Sequence, residues 1–176
     1  MTDDLRYPIG TYTAPEEIDA SRRAVWIDDI AHAPAALRAA VSGLSPEQLD
    51  TPYRSGGWTV RQLAHHVPDS HLNAYVRFKL ALTEPEPTIK PYDQASWVEL
   101  PDTARTPVEV SLRLLESLHE RWVTLLRAMT ESDFRRGYRH PELGRLVPLG
   151  EALGTYAWHG KHHVAHVTGL RERRGW

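Results

Sequence analysis

Apolar residues recur at steps of three and four along most of this chain and seldom at alternate positions, a pattern that predicts helices. The clearest helix buries Val108, Leu112, Leu115, Trp122, Leu126 and Met129, with Thr106 as N-cap, Pro107 at the first position and Glu109 closing a capping box. Another opens on Thr59, with Gln62 three residues on as its capping partner, and runs to about Leu82. Pro68 is expected to kink it, because proline lacks the N–H that would bond the Ala64 carbonyl. An earlier helix is expected from about Pro15 to Val41, ended or kinked at Pro34, and a last one from about Leu149 to Arg173.

Two stretches break the helical period. Residues 83 to 105 carry Pro85, Pro87, Pro91 and Pro101 and read as a long surface excursion covering a site mouth or a subunit interface, with Tyr92, Asp93 and Trp97 placed to line a pocket. Residues 130 to 148 form a second connection, in which Pro141-Glu142-Leu143-Gly144 has the composition of a hairpin turn. Four long helices with two extended connections predict an all-α four-helix bundle, a single domain over residues 1–176, and bundles of this kind build metal sites from facing helices.

Composition narrows the chemistry. A net charge of −2 gives no basic field for nucleic acid, and no 18-residue apolar run provides a membrane span. The start Met1-Thr2-Asp3-Asp4 lacks the basic and apolar regions of a signal peptide, so a cytoplasmic location is expected. None of the 176 residues is cysteine, which removes disulfides, thiolate ligands and a Cys nucleophile together. Any sulfur chemistry must come from a bound small thiol.

The ten histidines are unevenly spread: four fall between His159 and His166, and three between His65 and His71. Neutral imidazole is the commonest ligand for zinc and related ions. At about 100° per residue, His163 and His159 border the apolar face of the last helix, centred roughly 90° from His159, whereas His166 and His162 lie further out. The same count makes His66 the inward member of its pair and sets His65 about 160° from the apolar centre. His66, His159 and His163 are therefore the candidate metal ligands. His71 follows the expected kink and is read as a group behind a ligand or facing substrate, while His32, His119 and His140 read as ordinary surface or satisfied histidines. Asp69, one turn beyond His66, is a candidate to orient an imidazole or take a proton. Arg54, Arg61 and Arg77 are candidates to clamp an acidic thiol or a substrate carboxylate.

The motifs Tyr7-Pro8-Ile9-Gly10, Leu49-Asp50-Thr51-Pro52-Tyr53-Arg54, Gly56-Gly57-Trp58-Thr59-Val60-Arg61-Gln62, Asp69-Ser70-His71, Arg77-Phe78-Lys79-Leu80, Pro91-Tyr92-Asp93 and the block from Trp158 to His166, ending in Gly175-Trp176, occur in order along the chain. In them the chain resembles the YfiT group of the DinB superfamily over essentially its whole length. The resemblance implies an up-down-down-up four-helix bundle, a homodimer, and one divalent metal ion per subunit, zinc or nickel, held by three histidines. The second His of the pair in helix two and the His-x-x-x-His of helix four map onto His66, His159 and His163; Pro68 departs from the pattern. It further implies a metal-dependent hydrolase, or a transferase that joins a low-molecular-weight thiol such as bacillithiol to electrophiles.

Three imidazoles leave a coordination position open, at which an ion lowers the pKa of a bound water or thiol. The reading is a metalloenzyme acting on a small-molecule substrate with water or an exogenous thiol as nucleophile. The alternative is a non-catalytic metal- or small-ligand-binding bundle, and a solvent-reaching cleft at the ligands is what separates the two.

Overall fold

The computed structural model describes the backbone from Asp3 to Trp176 and side chains from Leu5 onward; Met1-Thr2, at the start read for a leader, lies outside the described residues. The elements in chain order are α1 (Asp3–Arg6), α2 (Ala20–Val41), α3 (Pro46–Leu49), α4 (Val60–Thr83), α5 (Gln94–Trp97), α6 (Pro101–Arg105), α7 (Val108–Ala128), α8 (Glu131–Arg135), the strands β1 (Gly137–His140) and β2 (Arg145–Pro148), and α9 (Leu149–Arg174).

The long helices α2, α4, α7 and α9 form a four-helix bundle. In it α2 packs on α7 and α9, and α4 packs on the same two, so the sequential neighbours α2 and α4 stand diagonally. The long connections make this order possible, since short loops would force consecutive helices to lie side by side. No helix among the described residues is long and apolar enough to cross a membrane.

Local chemistry sets the helix ends. At the start of α4 both halves of the expected capping box form: Gln62 N–H donates to Thr59 Oγ1 at 3.1 Å, and Thr59 N–H donates to Gln62 Oε1 at 2.9 Å. The start of α2 differs from expectation. It begins at Ala20, not Pro15, because Asp19 is the cap and accepts from Arg22 N–H at 2.7 Å. Thr106 does not cap α7 either. Its N–H is spent on Asp102 O at 2.9 Å as the end of α6, and Pro107 stands at the cap with no side-chain bond. Both internal prolines are buried, and α2 and α4 run unbroken through them. What each proline leaves is a carbonyl four residues earlier with no helical donor, Ile30 in α2 and Ala64 in α4.

The connection at 83–105 is less irregular than its prolines imply. It carries α5, capped by Asp93, and α6, and it is tied to the hairpin where Arg139 N–H donates to Pro87 O at 2.9 Å and Ile89 N–H to Arg139 O at 3.1 Å. The expected turn joins β1 to β2 as an antiparallel pair, with Gly144 at φ 64°, a left-handed conformation suited to glycine. On α9, a Cβ at Gly154 would lie 2.8 Å from the Trp26 ring, so glycine there lets α9 approach α2 closely.

The apolar interior comes in two blocks. One gathers Ile30, Phe78, Trp122, Leu126 and Leu153, and the other Leu37, Leu63, Val67, Leu115 and Val167. Between them, at the waist of the bundle, the helices place His66 and His71 from α4, His119 from α7, and His159 and His163 from α9. A layer of imidazoles therefore interrupts an otherwise apolar core. Such polar groups persist in a core only when their hydrogen-bonding or ligand capacity is used.

Candidate metal centre

The capping box fixes where α4 begins, and that sets His66 two turns in, with its ring directed to the bundle axis and only 1% exposed. On α9, His159 and His163 stand one turn apart on the same face. Their Nε2 atoms meet. His66 Nε2 lies 3.3 Å from His159 Nε2, and His163 Nε2 lies 3.1 Å from the same atom. One nitrogen from each of the three rings falls within 4.8 Å of the others, the only such group of three among the described residues.

The donor set fits a transition metal. Two nitrogens each bound at 2.0–2.1 Å to one tetrahedral ion stand roughly 3.3 Å apart, close to the two separations that His159 Nε2 already has from its partners. The rings are also in the right protonation state. Burial pushes the His66 imidazole down to about 4, and burial followed by the neighbouring imidazoles holds His159 and His163 well below the ordinary range. Near neutral pH all three are uncharged and each has a lone pair to offer. The Nδ1 of His163 is buried with no hydrogen-bond partner among the described residues, so its only polar engagement is on the Nε2 side.

The three rings form the floor of an open cleft of about 350 Å³. Trp58, whose ring centre is 4.7 Å from that of His66, and Trp158 form parts of its wall; Tyr7, Tyr53, Gln94, Arg6, Arg54 and the neighbouring His162 line the rest. No carboxylate lines it among the described residues. Its character is thus cationic and aromatic around neutral imidazoles, a setting for a small molecule with an anionic or planar part.

The other candidates divide. Arg54 lies in the cleft wall, its guanidinium 5.6 Å from the Tyr53 ring centre. Arg61 is outside the cleft and bonds Asp50 at 2.7 Å, while Arg77 is buried and reaches the Lys90 carbonyl, so neither is placed to clamp a substrate there. Asp69 makes no hydrogen bond to an imidazole among the described residues. Burial and then Asp102 push its carboxyl up to about 6, and its surroundings are α6 and Tyr92. His71 is fully buried and joined to His159, which removes the substrate-facing half of its expected role. Tyr92 and Trp97 pack on each other at 4.7 Å, and the loop's contribution to the cleft is instead Gln94.

Rotation about a helix axis also misjudged three histidines. His65, expected to face away, is covered by α7, with its Nδ1 2.7 Å from Ser111 Oγ. His162 and His166 are buried as well, under further aromatic rings: Tyr53, from the connection before α4, stacks on His166 at 4.0 Å, and Trp158, one turn earlier on α9, stacks on His162 at 4.4 Å. The cleft residues Arg6, Tyr7, Trp58 and Trp158 carried no signal beyond their place in the ordered motifs, because remote segments bring them together.

Comparison with known proteins gives the family and the fold. Residues 29–167 match the model of the DinB superfamily. Proteins provisionally named metal-dependent hydrolases from Bacillus cereus and from Bacillus thuringiensis subsp. konkukian are each 54% identical over 174 residues, 99% of both chains. The solved structure of YfiT from Bacillus subtilis, described as a probable metal-dependent hydrolase with an unusual four-helix bundle topology, superposes with a TM-score of 0.96. It is 49% identical, over 98% of this chain and 99% of that one.

Proposed function

The chain belongs to the DinB superfamily, and from that premise we propose that it is a metal-dependent hydrolase of small molecules, binding one divalent ion, zinc or nickel, through His66, His159 and His163. The observation that carries this reading is the convergence of three neutral Nε2 atoms at 3.1 and 3.3 Å on the floor of an open cleft. A structural ion would be enclosed by its ligands; here the rings face a solvent-reaching space, which favours an enzyme over a purely binding bundle. Held by these three rings, such an ion would supply Lewis-acid activation of a nucleophile. The protein's own part is to hold the imidazoles neutral by burial, to exclude bulk water on the Trp58 and Trp158 sides, and to orient an anionic substrate group with Arg54.

A second reading, transfer of an exogenous low-molecular-weight thiol to an electrophile, draws support from the chain's lack of cysteine together with the cationic mouth, where an acidic thiol would dock. Both are tested by mass-spectrometric product analysis of zinc- or nickel-loaded protein given activated esters and epoxides, with and without bacillithiol. Hydrolysis products independent of thiol support the hydrolase, and thiol adducts formed faster than the uncatalysed rate support the transferase. Neither, with metal bound, leaves the non-catalytic bundle.

A further inference from the structure

Behind the three converging nitrogens lies a second set of contacts that coordination alone does not require. His159 Nδ1 is 3.0 Å from His71 Nε2, His71 Nδ1 is 2.8 Å from His119 Nε2, and His119 Nδ1 is 2.7 Å from the carbonyl of Ile30. The series crosses the bundle from α9 through α4 and α7 to α2. It is sealed by Trp122 and Tyr156, which set their edges against His71 at 5.8 and 5.4 Å. His71 and His119 are 0% and 2% exposed.

The direction of every bond in this series is fixed at its far end. A carbonyl oxygen only accepts, so His119 carries its proton on Nδ1 and presents a bare Nε2. His71 must then donate from Nδ1, which leaves its own Nε2 bare, and His159 must donate from Nδ1 to that atom. The remaining nitrogen of His159, the Nε2 that faces His66 and His163, is left as a lone pair. The anchor is available for a reason legible in the chain: residue 34 is proline, so the Ile30 carbonyl has no helical N–H to satisfy it. His163 lacks such a device, for its Nδ1 has no partner among the described residues.

We propose that the Ile30 carbonyl, His119 and His71 form a tautomer-setting relay that holds His159 Nε2 as a bare lone pair, making His159 the pre-set member of the ligand trio. His71 and His119 are positioning residues in this scheme, and no change of charge is involved. Describing His159 as a ligand rests on the metal-centre reading above, but the tautomer pattern itself can be read without any metal.

The test uses full-length protein stripped of metal and labelled with ¹⁵N at histidine. Long-range ¹H–¹⁵N spectra should show His119, His71 and His159 all as Nδ1–H tautomers; an Nε2–H proton on His159 or His71 overturns the relay. Zinc affinity by chelator competition gives the second arm. His71→Phe keeps the shape but removes the acceptor, and should weaken zinc about 10- to 100-fold, whereas His71→Gln, whose Oε1 takes the place of Nε2, should recover most of the loss. Equal affinities in wild type and a folded His71→Phe overturn the proposal, as does a Gln variant no better than Phe. Should the wild-type protein bind no zinc at all, the metal reading fails while the tautomer spectra still decide the relay.

Discussion

Two His-x-x-x-His pairs run side by side on α9, and by spacing they are the same object. His159 and His163 bring their Nε2 atoms to 3.1 Å, and His162 and His166 bring theirs to 3.0 Å. The surroundings separate them. The first pair turns toward His66 on α4, so a third lone pair completes the group, and one of its rings is held from behind by His71. The second pair meets flat aromatic rings instead, Trp158 and Tyr53, and among the charges that act on His166 are those of Arg54 and Arg173. Cationic neighbours and the lack of a third ligand among the described residues disfavour an ion there, so its two imidazoles hydrogen-bond edge to face and each stacks on its own aromatic ring. A helical spacing states which side chains can meet; what faces them from other elements decides whether they bind.

The largest expected effect breaks the comparison outright. Alanine at His66, His159 or His163 should each remove most of the bound metal, whereas His162→Ala and His166→Ala should leave stoichiometry near wild type, as read by elemental analysis of purified protein. Full retention in His159→Ala, with loss in His162→Ala, would transfer the site to the other pair.

The cleft mouth supplies the next contrast. Arg54→Ala should raise KM about tenfold for an anionic substrate with metal content unchanged, the size expected when one charge-assisted hydrogen bond is lost. Arg61→Ala should leave KM alone and cost at most about 1 kcal/mol of stability, because its partner Asp50 is largely exposed. Equal KM effects from both would mean that Arg54 acts through the general field and not by contact.

Acid sensitivity tests whether the two pairs share one property despite their different roles. In the unfolded chain these imidazoles take up protons near 6.5, but in the fold burial delays this to about 4 for His66 and His162 and about 3 for His166. A lowered histidine pKa means that the folded state holds fewer protons, so stability of the metal-free protein falls as pH drops from about 6.5 toward 4. His166→Phe, which preserves the stack on Tyr53, should reduce that fall by on the order of 1 kcal/mol between pH 7 and 5 without changing metal content. Urea-unfolding midpoints at the two pH values measure it; an unchanged slope would mean that His166 is already protonated or exposed.

The sequence was informative where the deciding interaction is local. Thr59 and Gln62 are three residues apart, and their capping box formed; Pro141 to Gly144 made the turn expected of it; the four long helices followed the apolar period. Legibility ended where a distant segment decides. Rotation placed His162 and His166 relative to their own helix, but apart from Trp158, one turn before His162 on α9, the rings that cover them are Tyr7 and Tyr53, each more than a hundred residues away. His119 looked ordinary because its partners, Ile30 and His71, lie on two other helices. Pro34, read only as the end or a kink of its helix, leaves the Ile30 carbonyl free, and nothing nearby in the chain names the donor that fills it. Thr106 does not cap α7 because the preceding stretch, read as irregular, folds into α6 and ends on Thr106, so that α7 starts one residue later with Pro107 at its cap.

The smallest expected effect concerns Asp69, which the sequence sets one turn from His66 and the structure turns toward α6. Burial and Asp102 raise its carboxyl to about 6 from an ordinary 3.8, so the folded state binds more protons than the unfolded chain between those values. For a carboxyl shifted upward the sign is opposite to that of the histidines: stability falls as pH rises from about 4 to 6, and the cost persists above 6. Asp69→Asn removes the buried charge and should raise Tm at pH 8 by an amount worth less than about 1 kcal/mol, since the group is partly solvated, with no gain at pH 4. Metal content and kcat should stay at wild-type levels, because Asp69 neither lines the cleft nor bonds a ligand ring. A large fall in kcat with metal retained would show that this carboxylate does reach the reacting atoms, and that α4 presents both His66 and Asp69 to the cleft.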